Sequence, residues 1–135
     1  MSQENVEIVR RCFEAFNTGG MPAVAEFFDP QIAWETDPFV PEPGVYEGID
    51  AVRSYLDGFM RAFGAWHMEV HDVIDLGDAD VFPVLTIKGQ PLGQTERETA
   101  LFEWCQITTV REGKVVRIRS FLDRERGREA AGLSE

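Results

Sequence analysis

The chain has 135 residues, of which 44% are hydrophobic, and carries a formal net charge of −11 at pH 7. That length and apolar share predict one domain over 1–135 with a true core, and exclude a disordered chain. The acidic balance argues against nucleic acid and anionic membrane surfaces as partners, because both attract Lys and Arg.

No run of about 18 apolar residues is present, so no membrane span is expected. The opening stretch MSQENVEIVRR is acidic and lacks an apolar core, so it does not read as a signal peptide. Cys12 and Cys105 both fall in apolar periodic segments and read as reduced, buried thiols of a cytoplasmic protein.

Val6, Val9, Cys12, Phe13 and Phe16 recur three and four apart, which predicts an amphipathic helix stopped by Gly19 and Gly20. A short second helix is expected from Pro22 to Phe28, with Val24, Phe27 and Phe28 buried. Asp29-Pro30 should break it. A short strand, Ile32 to Glu35, then enters the proline-rich loop WETDPFVPEPG. After Gly48, the positions Val52, Tyr55, Leu56, Phe59 and Phe63 predict a third helix ended by Gly64.

From Trp66 the period changes to alternation. Trp66, Met68 and Val70 alternate with His67, Glu69 and His71, as in a strand with one solvated face. Gly77-Asp78 signals a turn before a strand over Val81–Lys88, and Gly89 to Gly93 reads as a loop. A long strand is expected over Arg97–Arg111, a tight hairpin at Glu112-Gly113, and a last strand over Lys114–Leu122. A short polar helix follows in DRERGREAAGL. Helices segregated from a meander of strands predict an α+β fold, a curved, cone-shaped, largely antiparallel sheet packed on three helices.

In this order the pieces resemble the nuclear transport factor 2-like superfamily, and within it the SnoaL-like polyketide cyclase and ketosteroid isomerase group. The resemblance covers nearly the whole chain. It is carried by the helix ending in FNTGG, by WETDPF and YEG before the third helix, by the IDLGD turn, and by VREGKVVRIRSFLDRERGREAAGL. It implies a small-molecule pocket inside the cone.

The resemblance places Asp37 where ketosteroid isomerases carry a general base. A carboxylate at the rim of an apolar cavity is desolvated and becomes a better base near neutral pH. The other reading of Asp37 is an ordinary Asp-Pro turn. Two departures matter. Cys12 stands where those isomerases have a tyrosine, and a thiol is a poor donor. Gln106 stands where they have a protonated acid, and its amide polarises a carbonyl oxygen more weakly. Limonene epoxide hydrolases are similar in the last strand, but Ser120 stands in place of their aspartate. Neither steroid isomerisation nor that epoxide chemistry is expected.

With Gln106 inward, strand alternation puts Phe102, Trp104 and Thr108 on its face. With Ser120 inward, Val116, Ile118 and Leu122 follow. Phe82, Val84 and Thr86 are assigned inward, and Trp34, Tyr55 and Phe59 close the pocket. Such a lining suits a small apolar or aromatic ligand. The outer faces, Leu101, Glu103, Cys105, Ile107 and Thr109 with Val115, Arg117, Arg119 and Phe121, mix charge with apolar groups and suit a homodimer contact.

No cofactor or metal is expected. His67 and His71 lie four apart, but in a strand that spans roughly 13 Å, too far for one metal. The chain offers no G-x-S-x-G, P-loop or G-x-G-x-x-G. The sequence therefore supports a cofactor-independent isomerase, cyclase or dehydratase acting on a carbonyl compound, with Asp37 as base and Gln106 as carbonyl partner. A ligand-binding protein and a dimeric scaffold with a filled cone are the alternatives.

Overall fold

The computed structural model describes residues 2–61, 66–89 and 99–133. Phe63 and Gly64, most of the expected 89–93 loop, and the start of the long strand lie outside them.

Helix α1 spans Ser2–Val24 and bends at Gly20, whose φ of 71° and ψ of −160° are not helical. Only glycine takes that conformation cheaply. The two expected helices are thus continuous across a kink, with Pro22 at the start of the second part, where its missing N–H costs nothing. Val6, Val9, Cys12, Phe13 and Phe16 are buried along one side. One turn of 3-10 helix, Ala25–Phe27, leads into strand β1, Phe28–Glu35. The strand therefore contains Asp29-Pro30, which breaks the helical path but not the extended one.

A short strand β2, Val45–Glu47, pairs antiparallel with β1 and was not expected from so few residues. Helix α2, Ile49–Arg61, follows and buries Val52, Leu56 and Phe59. Strands β3 (Trp66–Gly77), β4 (Asp80–Gly89), β5 (Thr99–Arg111) and β6 (Lys114–Phe121) form the meander, and helix α3 is Arg124–Ala130. The sheet order is β2-β1-β6-β5-β4-β3, with β1 and β6 parallel and the other pairs antiparallel. The architecture is the α+β cone. The Asn17 side chain ties α1 to β3 through two 2.9 Å hydrogen bonds, one to the Met68 carbonyl and one from its N–H.

Two apolar clusters hold the sheet. The larger joins α1, α2 and the inner sheet face. The smaller, on the outer face, joins Phe82, Val84, Cys105 and Ile107 to Phe121, Ala131 and Leu133. This corrects the facing of β4. Val81, Leu85 and Ile87 point inward, opposite Thr108, Trp104 and Phe102 of β5, whereas Phe82 and Val84 point outward. The stretch VFPVLTI is apolar on both faces, so only strand pairing fixes its phase.

A second phase change occurs in β6. Thr109 pairs with Arg117 but Val110 with Val115, leaving Val116 as the extra residue of a bulge. Val115 is thereby turned into the inner cluster rather than outward.

Helix α3 covers part of the outer face. Asp123 caps it, its Oδ1 accepting from the Glu125 and Arg126 N–H groups at 2.9 and 3.4 Å. Gly127 is buried, and a side chain there would collide with Cys105 Sγ and touch Phe121. Among the described residues no helix is long and apolar enough to cross a membrane.

Candidate functional site

A cavity of about 60 Å³ lies between α1, α2 and the inner sheet face. From α1 come Val9, Cys12, Phe13, Phe16, Met21 and Val24. Helix α2 supplies Leu56, Phe59 and Met60, and the strands supply Trp34, Met68, Ile87, Trp104, Val115 and Ile118. The polar groups in the wall belong to Gln106 and Thr108, with the two indoles beside them.

The volume is smaller than the roughly 150 Å³ of a dry cavity that takes one benzene ring. The lining, however, is adaptable. Met21, Met60 and Met68 all contribute to it. Unbranched thioethers repack easily around different shapes.

The polar groups form a fixed relay along β5. Trp104 Nε1–H donates to Gln106 Oε1 at 3.0 Å, and Gln106 Nε2 donates to Thr108 Oγ1 at 3.0 Å. An indole N–H is a donor only, so it fixes which end of the Gln106 amide is oxygen. On the neighbouring strands, Trp34 Nε1–H donates to Ser120 Oγ at 3.1 Å. Among the described lining residues Cys12 alone is ionisable, and burial pushes its thiol from 9.0 up to about 12. It stays a neutral thiol at physiological pH.

Of the residues expected at the pocket, the structure brings Cys12, Trp34, Phe59, Trp104, Gln106, Thr108 and Ile118 together around the cavity. Phe102 and Leu122 pack against the inner cluster without lining the cavity, and Ser120 stands behind Trp34. Phe82 and Val84 lie on the opposite face. Tyr55 stacks on Tyr46 in a separate groove. The inner wall supplied by α1 was legible as a helical stripe, but nothing in that stripe distinguishes a cavity wall from plain core.

Asp37 is placed differently from the pocket-facing expectation. The described cavity lining leaves it out. Its side chain is 0% exposed and ion-paired, Arg126 Nη2 of α3 donating to Oδ2 at 3.1 Å. The Leu122 N–H donates to the same oxygen at 2.8 Å, and the Phe39 N–H donates to Oδ1 at 2.9 Å. The last bond makes the Asp-Pro turn, the second of the two sequence readings. Arg126 also lies 5.1 Å above the Phe39 ring. The carboxylate thus fastens the proline loop to β6 and α3. Of the two histidines, His71 Nε2 shares a 2.7 Å hydrogen bond with Thr86 Oγ1.

Comparison with known proteins agrees with the fold. The SnoaL-like domain family matches residues 9–118. An uncharacterised protein of Mycobacterium tuberculosis is 28% identical over 124 residues, covering 87% of both chains. Among solved structures, Bal32a from a soil-derived mobile gene cassette superposes with a TM-score of 0.75 at 22% identity, over 89% of each chain. TerC, co-crystallised with polyporic acid, gives 0.73 at 17% identity over 96% of this chain and 98% of its own.

Proposed function

Because the chain belongs to the SnoaL-like domain family, we propose that it binds a small, largely apolar compound in the cavity between α1, α2 and the sheet. The carrying observation is the chemistry of the wall. Among the described residues it is apolar and methionine-rich, its polar relay is prearranged, and the ionisable group is a thiol held protonated. A wall of this kind recognises a ligand, and its described residues offer no proton shuttle for cofactor-independent chemistry. Gln106 is the polar contact. Thr108 takes one of its two amide hydrogens, leaving the other for a carbonyl or hydroxyl oxygen. The small molecule bound to TerC, which has this fold, supports a ligand-holding role.

The enzyme reading keeps Asp37 as base only if Arg126 releases it, and the three bonds to its carboxylate weigh against that. A second copy of the chain on the outer face is the accompanying proposal. There α3 and the Ala131–Leu133 end already cover Cys105, Ile107 and Phe121, which leaves Leu101, Glu103 and Arg117 for contact. Light scattering that reports a monomer at micromolar concentration overturns it.

The test of the ligand reading is carbon-13 labelling of the methionine methyls, followed by titration with neutral apolar compounds. The expected result is a saturable shift of the Met21, Met60 and Met68 methyls together. A panel that moves none of them at solubility-limited concentration overturns it.

A further inference from the structure

A groove of about 460 Å³ runs between the Pro41-Glu42 end of the proline loop and the outer side of α2. Its walls are the rings of Tyr46, Tyr55 and Phe59. Tyr46 and Tyr55 stack at 4.5 Å, and Tyr55 meets Phe59 at 6.0 Å and 54°. Phe59 lines the inner cavity as well, so the two spaces share it as a wall.

Two residues of this groove are there against the preference of their own backbone. Gly58 lies inside α2, where glycine is the poorest helix former after proline. No described neighbour requires it, for a Cβ at Gly58 would meet nothing among the described residues within 4 Å. Glu42 shows the reverse. Its φ is 55°, the left-handed region in which glycine is the cheap choice. The other described non-glycine residues with positive φ, Asp78 and Glu112, sit in the tight hairpin turns β3–β4 and β5–β6, whose geometry imposes it. Glu42 lies in a longer loop, between Pro41 and Pro43, where the Tyr46 hydroxyl donates to its carbonyl at 2.6 Å.

So a glycine stands where the fold favours a side chain, and a carboxylate stands where the fold favours glycine. Both line one groove. Seen as a binding surface, the two choices agree. Gly58 leaves the floor as bare backbone, and Glu42 sets an acceptor at the rim. Residues held against local preference gather at functional sites.

We propose that the groove over Gly58 is an outer subsite for a flat aryl group bearing a hydrogen-bond donor, phenolic or amino. The ring lies on Gly58 between Tyr46, Tyr55 and Phe59, and the donor meets the Glu42 carboxylate. The rest of the ligand extends past Phe59 toward the inner cavity, a step that rests on the ligand-binding reading above. Charge selects the occupant. Glu42 at the rim and a net charge of −11 repel an anion. The Tyr55 hydroxyl in the same wall is buried without a hydrogen-bond partner among the described residues. Burial, then Tyr46, Asp37 and Glu42, push it up to about 12, so it stays protonated and adds no anionic charge to the wall.

The test uses the full chain and 2-naphthol as probe, with 2-naphthoate as the anionic control. Binding is followed by backbone amide and methionine methyl shifts. The expected result is saturable shifts at Ser54, Gly58 and Tyr46, with at least tenfold weaker binding of 2-naphthoate. Gly58→Leu and Glu42→Gly should each weaken 2-naphthol at least tenfold. Gly58→Ala and Glu42→Gly should each raise Tm by about 2–5 °C, since each restores the locally preferred residue. Undiminished 2-naphthol binding in Gly58→Leu overturns the subsite, and so does a lower Tm in Gly58→Ala, which would mean that the fold needs the glycine. Shifts confined to the methionine methyls overturn the subsite but keep the inner-cavity reading. Shifts confined to the groove keep the subsite and overturn the inner cavity. Shifts at neither place overturn both.

Discussion

Trp104 and Gln106, two apart on β5, share the inner face of the strand, and the indole N–H of the first donates to the amide oxygen of the second at 3.0 Å. That bond aims the amide nitrogen at Thr108. Gln106→Leu keeps the volume but leaves the Trp104 N–H and the Thr108 hydroxyl facing an apolar cavity. A loss of about 1–3 kcal/mol is expected in urea denaturation, because buried polar groups without partners carry their full desolvation cost. A neutral result would show that water replaces the amide.

The Asp37–Arg126 pair is asymmetric, one side chain 0% and the other 36% exposed. Arg126→Ala strands a fully buried carboxylate without its countercharge, whereas Asp37→Asn strands an arginine that solvent can hydrate. Arg126→Ala is therefore expected to lose about 3 kcal/mol, and Asp37→Asn, which keeps an acceptor oxygen, about 1–2 kcal/mol. A double-mutant cycle by denaturant midpoint measures the coupling. Equal losses from both single changes would contradict the asymmetry.

Three buried groups should make stability fall with pH at the alkaline end. Burial holds the proton on Cys12 from 9.0 up to about 12, on Cys105 up to about 11, and on Tyr55 from 10.0 up to about 12. Below pH 9 both folded and unfolded chains keep these protons, and their contribution is constant. Above it the unfolded chain releases protons that the folded chain retains, so stability falls as pH rises toward 12. Each fully engaged group contributes a slope of at most about 1.4 kcal/mol per pH unit. Urea midpoints at about pH 8 and pH 10.5 should differ less in Cys12→Ala than in the natural chain.

Gly127 lets α3 lie on the outer sheet face. Gly127→Val should cost about 1–3 kcal/mol by overpacking against Cys105 and Phe121. Cys105→Ala in the same chain removes the colliding sulfur and should recover part of that loss. No recovery would place the strain elsewhere.

The helical stripes of α1 and α2 were legible because their apolar positions follow a single period, and Glu112-Gly113 because its turn chemistry is local. The facing of β4 was not, since VFPVLTI offers no alternation to read. Val115 escaped because the bulge at Val116 depends on pairing with two neighbouring strands. Strand phase put Trp104 and Thr108 on the face of Gln106, the family resemblance singled out Cys12 and Gln106, and all four line the cavity. Asp37 was visible as an unusual acid, but its partner is 89 residues away, and no local pattern connects the two.

That distance also orders events during synthesis. The chain leaves the ribosome from its N-terminus at roughly 5–20 residues per second. The β1 end and proline loop emerge early, carrying a carboxylate whose countercharge has not yet been made. Until Leu122 and Arg126 arrive, Asp37 can keep its charge only by staying hydrated, so the front loop should remain open in nascent chains. Its closure then reports that β6 and α3 are complete, which makes the buried acid a late checkpoint on the assembled sheet.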